Sequence, residues 1–253
     1  MVEKKRRQSI RHFSSYSIFI RILDITSTRI VHRVIEWYNY LMVTIVIPYF
    51  NQPLMYQKQV EELNKLKGNF KVIFIDDFSD TPMNPDPKFS YYKILDDKGV
   101  NWQGAKNLGT LLATSKWILH TDIDHTLTQE ALDYINQTTI EDHKAYKFRR
   151  QIKGQEKDPH PNSFLITRDS FIQKGGYDLR WQGTKGGEHD FIKQLDFELL
   201  PVFLNTYGGD EIKDAMTHND DKTLQAHISE NLDKIPPLPI INFKFNAYSR
   251  LFN

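Results

Sequence analysis

Short apolar runs alternate with segments of helical periodicity from residue 43 to residue 126. Four of these runs predict buried strands, since continuous apolar stretches are typical of a parallel sheet covered on both faces: residues 43–51, 71–80, 91–95 and the run that begins at Trp117. Pro48 is expected to end the first strand, because it has no N–H for a ladder. Residues 54–66 and 103–115 predict the helices between them. This order predicts a parallel α/β sheet that binds its ligand at the carboxyl ends of the strands.

The remainder of the chain is less regular. Helices are predicted at 127–135, 168–174 and 188–199, strands at 145–150, 163–167 and 201–207, and a glycine-rich loop at 180–187. The chain then divides into a basic helical extension (1–42), one main domain (43–231), and a tail rich in proline and aromatic residues (232–253).

Composition excludes several classes of protein. The 253 residues include 33 basic and 32 acidic side chains and no cysteine. The balanced charge provides no basic stripe for nucleic acid, and the lack of cysteine excludes disulfides, thiolate metal sites and a cysteine nucleophile. No apolar stretch reaches the length of a membrane span, and the N-terminus lacks the apolar block of a secretory signal. We therefore expect a cytoplasmic protein.

Both ends of the chain suggest contact with a membrane surface as an alternative. Apolar residues from Ile30 to Leu41 fall at helical spacing and follow a basic cluster at 4–7. This segment either packs on the main domain or lies on an anionic membrane as a basic amphipathic helix. The tail after Asn231 is either an arm on the domain surface or a second membrane contact.

Two carboxylates follow the strand that begins at Trp117. Asp122 and Asp124 are one residue apart, and a turn there brings both side chains near one point. Oxygen ligands of this kind suit a divalent cation or a phosphate that carries one. An exposed acidic turn is the alternative interpretation of the same two residues.

Six motifs in a fixed order carry a family resemblance: IPYFN, FIDDFSD, GAKNLG, TDID, TRDSFIQKGGYD and GGEHDF. Their succession resembles the GT-A glycosyltransferases of the large family 2. The later motifs are also similar to the C-terminal region of the β-1,4-galactosyltransferases. The resemblance extends over residues 43–220 and implies a GT-A fold, a mixed and mainly parallel sheet flanked by helices.

The resemblance implies a UDP-sugar donor and a divalent cation, with residues 43–126 of the main domain as a nucleotide half and residues 127–231 as an acceptor half. It places Pro48 and Phe50 against the uracil ring, Asp77 on the uracil N3–H, and Lys106 beside the phosphates. Asp122 would bind the ribose or a metal-bound water. The metal ligands it implies are Asp122, Asp124 and His218, with Mn²⁺ or Mg²⁺ as the ion; an imidazole ligand favours Mn²⁺.

The catalytic base is where this chain departs from the family pattern of Gly-Glu-Asp-x-Asp. Alignment from the left places His189 at the base position, whereas an ungapped alignment from Gly175 places Glu188 there. We favour Glu188 as the base and Asp190 as the residue that holds the acceptor. Trp181 is expected to provide an aromatic platform for a glycan acceptor, and the glycine-rich loop is expected to close over the donor.

Three functions are compatible with these residues. The first is inverting, metal-dependent transfer of a hexose or N-acetylhexosamine from a UDP-sugar to a glycan hydroxyl. The second is a haloacid-dehalogenase-like phosphatase, with Asp122 as nucleophile, Asp124 as acid/base, and Asp210 and Asp214 as metal ligands. The third is a sugar-nucleotide-binding protein without catalysis, suggested by the altered GGEHDF motif. The order of the six motifs favours the first.

Overall fold

The first part of the chain forms a parallel sheet with helices in the crossovers. The computed structural model describes residues 42–138, 140–184, 186–207 and 222–248, which all fall within one compact unit. In chain order the elements are β1 (Val43–Tyr49), α1 (Pro53–Lys65), β2 (Phe70–Asp76), β3 (Ser90–Ile94), α2 (Trp102–Leu112) and β4 (Trp117–His120). β1 lies between β2 and β4, β3 flanks β2, and each of these pairs is parallel.

The second part adds mostly antiparallel strands to the same sheet. Its elements are β5 (His125–Leu127), α3 (Gln129–Gln137), β6 (Ala145–Ile152), β7 (Gln155–Lys157), β8 (Phe164–Thr167), α4 (Arg168–Gln173), a 3₁₀ turn (Leu179–Trp181), α5 (Glu188–Ile192), β9 (Phe197–Thr206), α6 (Lys222–Asn231) and β10 (Phe245–Ala247). The described strands are ordered β10-β3-β2-β1-β4-β8-β6-β9-β5, with β7 paired to β6. The predicted mixed α/β sheet is confirmed.

The first strand continues past Pro48, contrary to the prediction. Val46 O accepts a hydrogen bond from Thr121, which follows β4, and the last residue of β4 pairs with Val46. Tyr49 O accepts one from Asp77, which follows β2. Because successive residues of a strand face opposite neighbours, Pro48 faces the β4 side. β4 has already ended at that level, so the missing N–H leaves no strand partner unsatisfied.

The predicted helix at 188–199 is wrong beyond its first turns. α5 is short, and β9 begins at Phe197, earlier than the predicted start at 201. The beginning of β9 pairs in parallel with β6, and this long-range pairing outweighs the local helical spacing. The register shifts between Phe148 and Arg149 of β6, and Pro201 lies opposite this irregularity. A residue without an N–H is tolerated at such a position of a sheet.

Other boundaries move by a few residues. β2 ends at Asp76 instead of 80, and α2 ends at Leu112 instead of 115. The helix predicted at 127–135 is preceded by β5 and begins at Gln129. Thr128 caps it, because the backbone N–H of Ala131 donates to the threonine hydroxyl.

Helix α2 packs closely on the sheet at Gly109. A Cβ atom added at Gly109 would lie 2.3 Å from Cγ1 of Val46, a buried residue of β1. Only glycine allows the helix axis this close to the strand, which explains Gly109 despite the unfavourable helix propensity of glycine. The other glycine of the helix, Gly104, instead gives room to the side chains of Asn101 and Phe243. The helix therefore holds its polar residues against the carboxyl end of the sheet.

The tail packs on the main domain as far as the structure describes it. β10 pairs antiparallel with β3, and the amide of Asn107 in α2 donates to Ile240 O at 2.9 Å. In the described part of the chain, no helix is long and apolar enough to cross a membrane. Residues 1–41 and 249–253 lie outside the described residues, so membrane contact through either end stays a prediction.

Gly109→Ala is expected to lower the free energy of unfolding, by about 1–3 kcal/mol, because the new methyl group overpacks the α2–β1 contact. Urea denaturation of the two single variants and of the double variant with Val46→Ala would measure the effect. The valine truncation removes the clashing atom, so the double variant should lose less stability than the two single losses added together. Strict additivity would contradict the close contact.

Candidate active site

The ends of β1 and β2 are joined into one loop region. The N–H of Asn51 donates to Ser79 Oγ at 3.1 Å, and the N–H of Thr81 donates to Asn51 Oδ1 at 2.9 Å. Asn51 and Phe78 have φ values of 47° and 59° in the left-handed region. Such a conformation is rare for a bulky side chain, and it clusters at ligand-binding positions. Phe50 lies beside Asn51, at the edge where the nucleotide base is expected.

Asp77 is a buried carboxyl at the end of β2. Its side chain accepts a hydrogen bond from the N–H of Asn101, the residue before α2, at 2.8 Å, and the residue is 3% exposed. Burial raises the pKa of Asp77 to about 8, although the hydrogen bond from Asn101 lowers it. At neutral pH this carboxyl is mostly protonated, and it still offers an acceptor oxygen to a ring N–H.

Lys106 forms a buried ion pair with Asp122. The ammonium, on α2, donates to Asp122 Oδ1 at 2.7 Å and to Asn162 O at 2.8 Å, and its side chain is fully buried. It also lies 5.3 Å from the centroid of the Trp102 ring. A contact between Lys106 and a phosphate would require these bonds to rearrange, so that role stays a prediction. The geometry supports a different task for Lys106, which is to hold Asp122.

Two histidines join Asp122 in a cluster of metal-ligand type. Asp122, His125 and His160 each offer one ligand atom, and these atoms all lie within 4.8 Å of one another. His160 Nδ1 is 3.6 Å from Asp122 Oδ2, and the centroids of the two imidazole rings are 4.3 Å apart. Asp124 is not a member of this group, and its Oδ1 lies 2.6 Å from His125 Nδ1.

Sequence analysis did not identify His125 and His160. The position of His125 next to the Asp-x-Asp pair was an available signal. His160 offered none, because it lies on a polar loop far along the chain and reaches the site only through the pairing of β8 with β4.

The protonation states of the cluster suit a divalent cation. Burial opposes ionisation of Asp122, but the ammonium of Lys106 brings the pKa of its carboxyl below the usual value. Burial lowers the pKa of Lys106, and Asp122 partly offsets this. Burial also lowers the pKa of His160 to about 4, against the effect of Asp122. An ionised carboxylate beside a neutral imidazole is what metal binding requires, so the residues present fit a metal.

Glu188 is the candidate base best placed for proton transfer. It opens α5 directly after Gly187, and its side chain is 21% exposed. Its Oε2 is buried and has no hydrogen-bond partner among the described residues. The negative charge of Glu188 contributes to the electrostatic environment of both Lys106 and Tyr177. The side chain of His189 is 72% exposed, which favours Glu188 over the alternative base.

Trp181 lies beneath the glycine-rich loop and holds Asp190. Its indole N–H donates to Asp190 Oδ2 at 2.9 Å, and the residue is 7% exposed. A Cβ at Gly187 would lie 2.5 Å from the indole Cγ, so the backbone of the loop covers the ring. Its role as a platform for a sugar stays a prediction, because the structure uses the ring to support the loop.

Several predicted residues cannot be placed. His218, Asp210 and Asp214 lie outside the described residues, as does Lys185 in the glycine-rich loop. The roles of Pro48, Phe50 and Asp124 stay predictions, although all three lie at the carboxyl ends of parallel strands, where the fold predicts the ligand.

This combination of fold and site defines a class of protein. A mixed sheet whose first four strands are parallel, with acidic residues after the fourth strand and a carboxylate behind a glycine-rich loop, is the architecture of GT-A glycosyltransferases. The sequence pattern of glycosyl transferase family 2 matches residues 44–200, and the chain therefore belongs to glycosyl transferase family 2. This membership confirms the resemblance and removes the support for the phosphatase alternative. A search of curated protein sequences found no match.

Solved structures with the same fold come from distant relatives. TarS 1–349 of S. aureus in complex with UDP has a TM-score of 0.53 at 10% identity, covering 66% of this chain and 60% of that one. The catalytic domain of Drosophila β1,4-galactosyltransferase 7 in complex with xylobiose has a TM-score of 0.54 at 12% identity, covering 80% and 84%. The mannosyltransferase PcManGT from Pyrobaculum calidifontis in complex with GDP-Man and Mn²⁺ has a TM-score of 0.52 at 12% identity, covering 78% of this chain and 66% of that one. At these identities the comparisons establish the fold.

Asp77→Asn is expected to make stability less dependent on pH. In the wild type the folded state keeps the Asp77 proton up to about pH 8, whereas the unfolded chain releases it near pH 4. Stability therefore falls between these values as pH rises, by up to about 1.4 kcal/mol per pH unit, and levels off above the folded pKa. The amide has no such titration.

Urea denaturation between about pH 5 and about pH 9 covers most of this fall in stability. It would measure how the free energy of unfolding depends on pH in the wild type and in the variant. Asp80→Asn, at an exposed position in the same loop, is the matched control. A stability difference between Asp77→Asn and the wild type that stays constant with pH would contradict the raised pKa.

Proposed function

We propose that this chain transfers a hexose or N-acetylhexosamine from a UDP-sugar to a hydroxyl of a glycan acceptor, with inversion and with a divalent cation. Glycosyl transfer follows from the family, whereas the donor, the acceptor and the stereochemistry are the proposal. The observation that carries it is the carboxylate of Glu188, which opens α5 directly after Gly187 and keeps one buried oxygen without a partner in the described residues.

Uracil recognition is supported by the chemistry of Asp77. In either protonation state the side chain offers an acceptor for the uracil N3–H, and guanine would meet it with a different pattern of donors and acceptors. Pro48 and Phe50 would cover the faces of the base. TarS is described with UDP and the mannosyltransferase with GDP-Man, so the fold alone does not select the nucleotide.

The reaction would proceed by one displacement. The acceptor oxygen forms a bond to the anomeric carbon of the sugar while the bond from that carbon to the diphosphate breaks, which inverts the configuration. Glu188 takes the proton of the acceptor hydroxyl, as a general base. Its semi-buried oxygen suits this task because burial weakens its hydration and keeps it available to the acceptor. The products are UDP, the glycoside and the proton held by Glu188.

The diphosphate would be bound next to the Asp122–Asp124 turn. A divalent cation bound there neutralises phosphate charge and makes UDP a better leaving group. Lys106 keeps Asp122 oriented and ionised through their ion pair. His218 remains a further metal ligand in this proposal.

The acceptor would lie against the loop before α5. Asp190 is proposed to accept a hydrogen bond from an acceptor hydroxyl, and Trp181 orients that carboxylate through its indole N–H. Gln103 of α2 donates to Gly186 O at 2.7 Å, which ties the loop to the nucleotide half. Donor binding and acceptor positioning are thereby connected through one helix.

Selective binding of UDP is expected to raise the melting temperature in the presence of Mn²⁺, because a ligand that binds only the folded state stabilises it by mass action. Melting of the purified protein with UDP, GDP or phosphate, each with and without Mn²⁺, would measure the selectivity. GDP should give a smaller shift than UDP. A larger shift with GDP would contradict the assignment of uracil to the Asp77 site.

Glu188→Gln is expected to reduce kcat by about 100- to 10,000-fold, since the amide cannot take the proton of the acceptor. The UDP-dependent shift in melting temperature should remain. Glu61→Gln, on the exposed face of α1, is the matched control. If His189→Gln abolishes turnover and Glu188→Gln does not, then His189 is the base.

A protein that binds without catalysis would behave differently. It would show the UDP shift with Mn²⁺ but no turnover with any UDP-sugar and glycan acceptor, in the wild type and in every variant. Product analysis of a reaction with a synthetic acceptor by NMR would report the anomeric configuration, and a retained configuration would contradict the single displacement.

A further inference from the structure

The surroundings of His125 are those of a metal ligand. Its imidazole is 1% exposed, and Nδ1 lies 2.6 Å from Asp124 Oδ1. A carboxylate oxygen accepts, so Nδ1 is the nitrogen that donates to Asp124, and Nε2 is the nitrogen left for another partner. Nε2 is buried and has no hydrogen-bond partner in the described parts of the chain. A carboxylate that fixes the ring through one nitrogen while the other faces a cation is a recurrent arrangement in metal sites.

His160 and Asp122 provide two further ligands. His160 Nδ1 faces Asp122 Oδ2 at 3.6 Å, and ligands that are each about 2.1 Å from one cation lie about 3–3.5 Å apart. The contacts of His160 Nδ1 with Asn162 N and Ser163 Oγ are both 3.3 Å, longer than ordinary hydrogen bonds. Lys106 engages Oδ1 of Asp122, so Oδ2 is the oxygen directed to the cluster.

We propose that Asp122, His125 and His160 bind the divalent cation, and that Asp124 orients His125 without binding the metal directly. The ligand set then contains two imidazoles and one carboxylate, which favours Mn²⁺ over Mg²⁺. The proposal shares the divalent cation with the proposed function and makes no use of the sugar donor. It changes the role of the second aspartate of the Asp-x-Asp pair, from ligand to positioning residue.

The first test is spectroscopic and needs only the wild type. Mn²⁺ alone is titrated into the purified chain and followed by electron paramagnetic resonance, with electron spin echo modulation to detect directly bound nitrogen. We expect modulation from at least two imidazole nitrogens, with a third where His218 also binds, and much weaker competition by Mg²⁺. An all-oxygen spectrum, or no binding of Mn²⁺ at millimolar concentration, would overturn the proposal.

Variants separate the ligands from the positioning residue. His125→Asn and His160→Asn should each remove one nitrogen signal and weaken Mn²⁺ binding. Asp124→Asn should keep both nitrogen signals and weaken binding by about 10- to 100-fold, as is typical when an outer partner of a ligand is lost. His143→Asn, an exposed histidine paired with Glu141, is the matched control and should change nothing. Unchanged nitrogen signals in His125→Asn would overturn the assignment.

These outcomes are distinct from those that test the proposed function. Mn²⁺-dependent binding of UDP with an all-oxygen spectrum would retain the donor proposal and reject the histidine ligands. Two nitrogen signals in a protein that neither binds UDP nor transfers sugar would retain the metal site and reject the proposed donor. Circular dichroism of each variant would verify that the fold is intact.

Discussion

The buried ion pair between Lys106 and Asp122 connects the parts of the molecule that form the site. A fully buried ammonium costs several kcal/mol unless a carboxylate and further acceptors surround it, and here Asp122 and Asn162 O provide them. The pair links α2 with the turn after β4, and the carbonyl adds the loop before β8. Displacement of any of these segments would leave a buried charge without its partner, so their relative positions are strongly constrained.

Helix α2 contacts segments in both halves of the domain and constrains their positions as well. Asn107 uses its whole side chain for the purpose: its oxygen accepts from Tyr177 N, and its amide donates to Tyr177 O and Ile240 O. Gly109 allows the helix to approach β1, and Gln103 holds the glycine-rich loop. Asn107 and Gly109 of the GAKNLG motif thus have a packing explanation, as does Gln103 just before the motif. Its residues hold the site together and need not contact the substrate themselves.

The candidate site combines groups that differ in how firmly they are held. Asp122 is held by Lys106 of α2, and His125 is held by Asp124 beside it. Glu188, in contrast, lies at the start of a short helix that follows a glycine-rich loop. This difference suits a transferase, in which the donor and metal side must be prepared before the acceptor side closes. The indole of Trp181 beneath the loop gives the closed arrangement a rigid support.

The sequence alone was enough to predict the fold class and the family. Buried parallel strands are continuous apolar runs, and their order with the intervening helices and motifs is local information along the chain. Asp77, Asp122 and Glu188 were predicted as site residues in the same way, because each lies in a motif. Tertiary structure decided the rest: the strand at Phe197 depends on its pairing with β6. The approach of His160 to Asp122, and the burial of Lys106 against it, depend on contacts between distant segments, which local spacing does not encode.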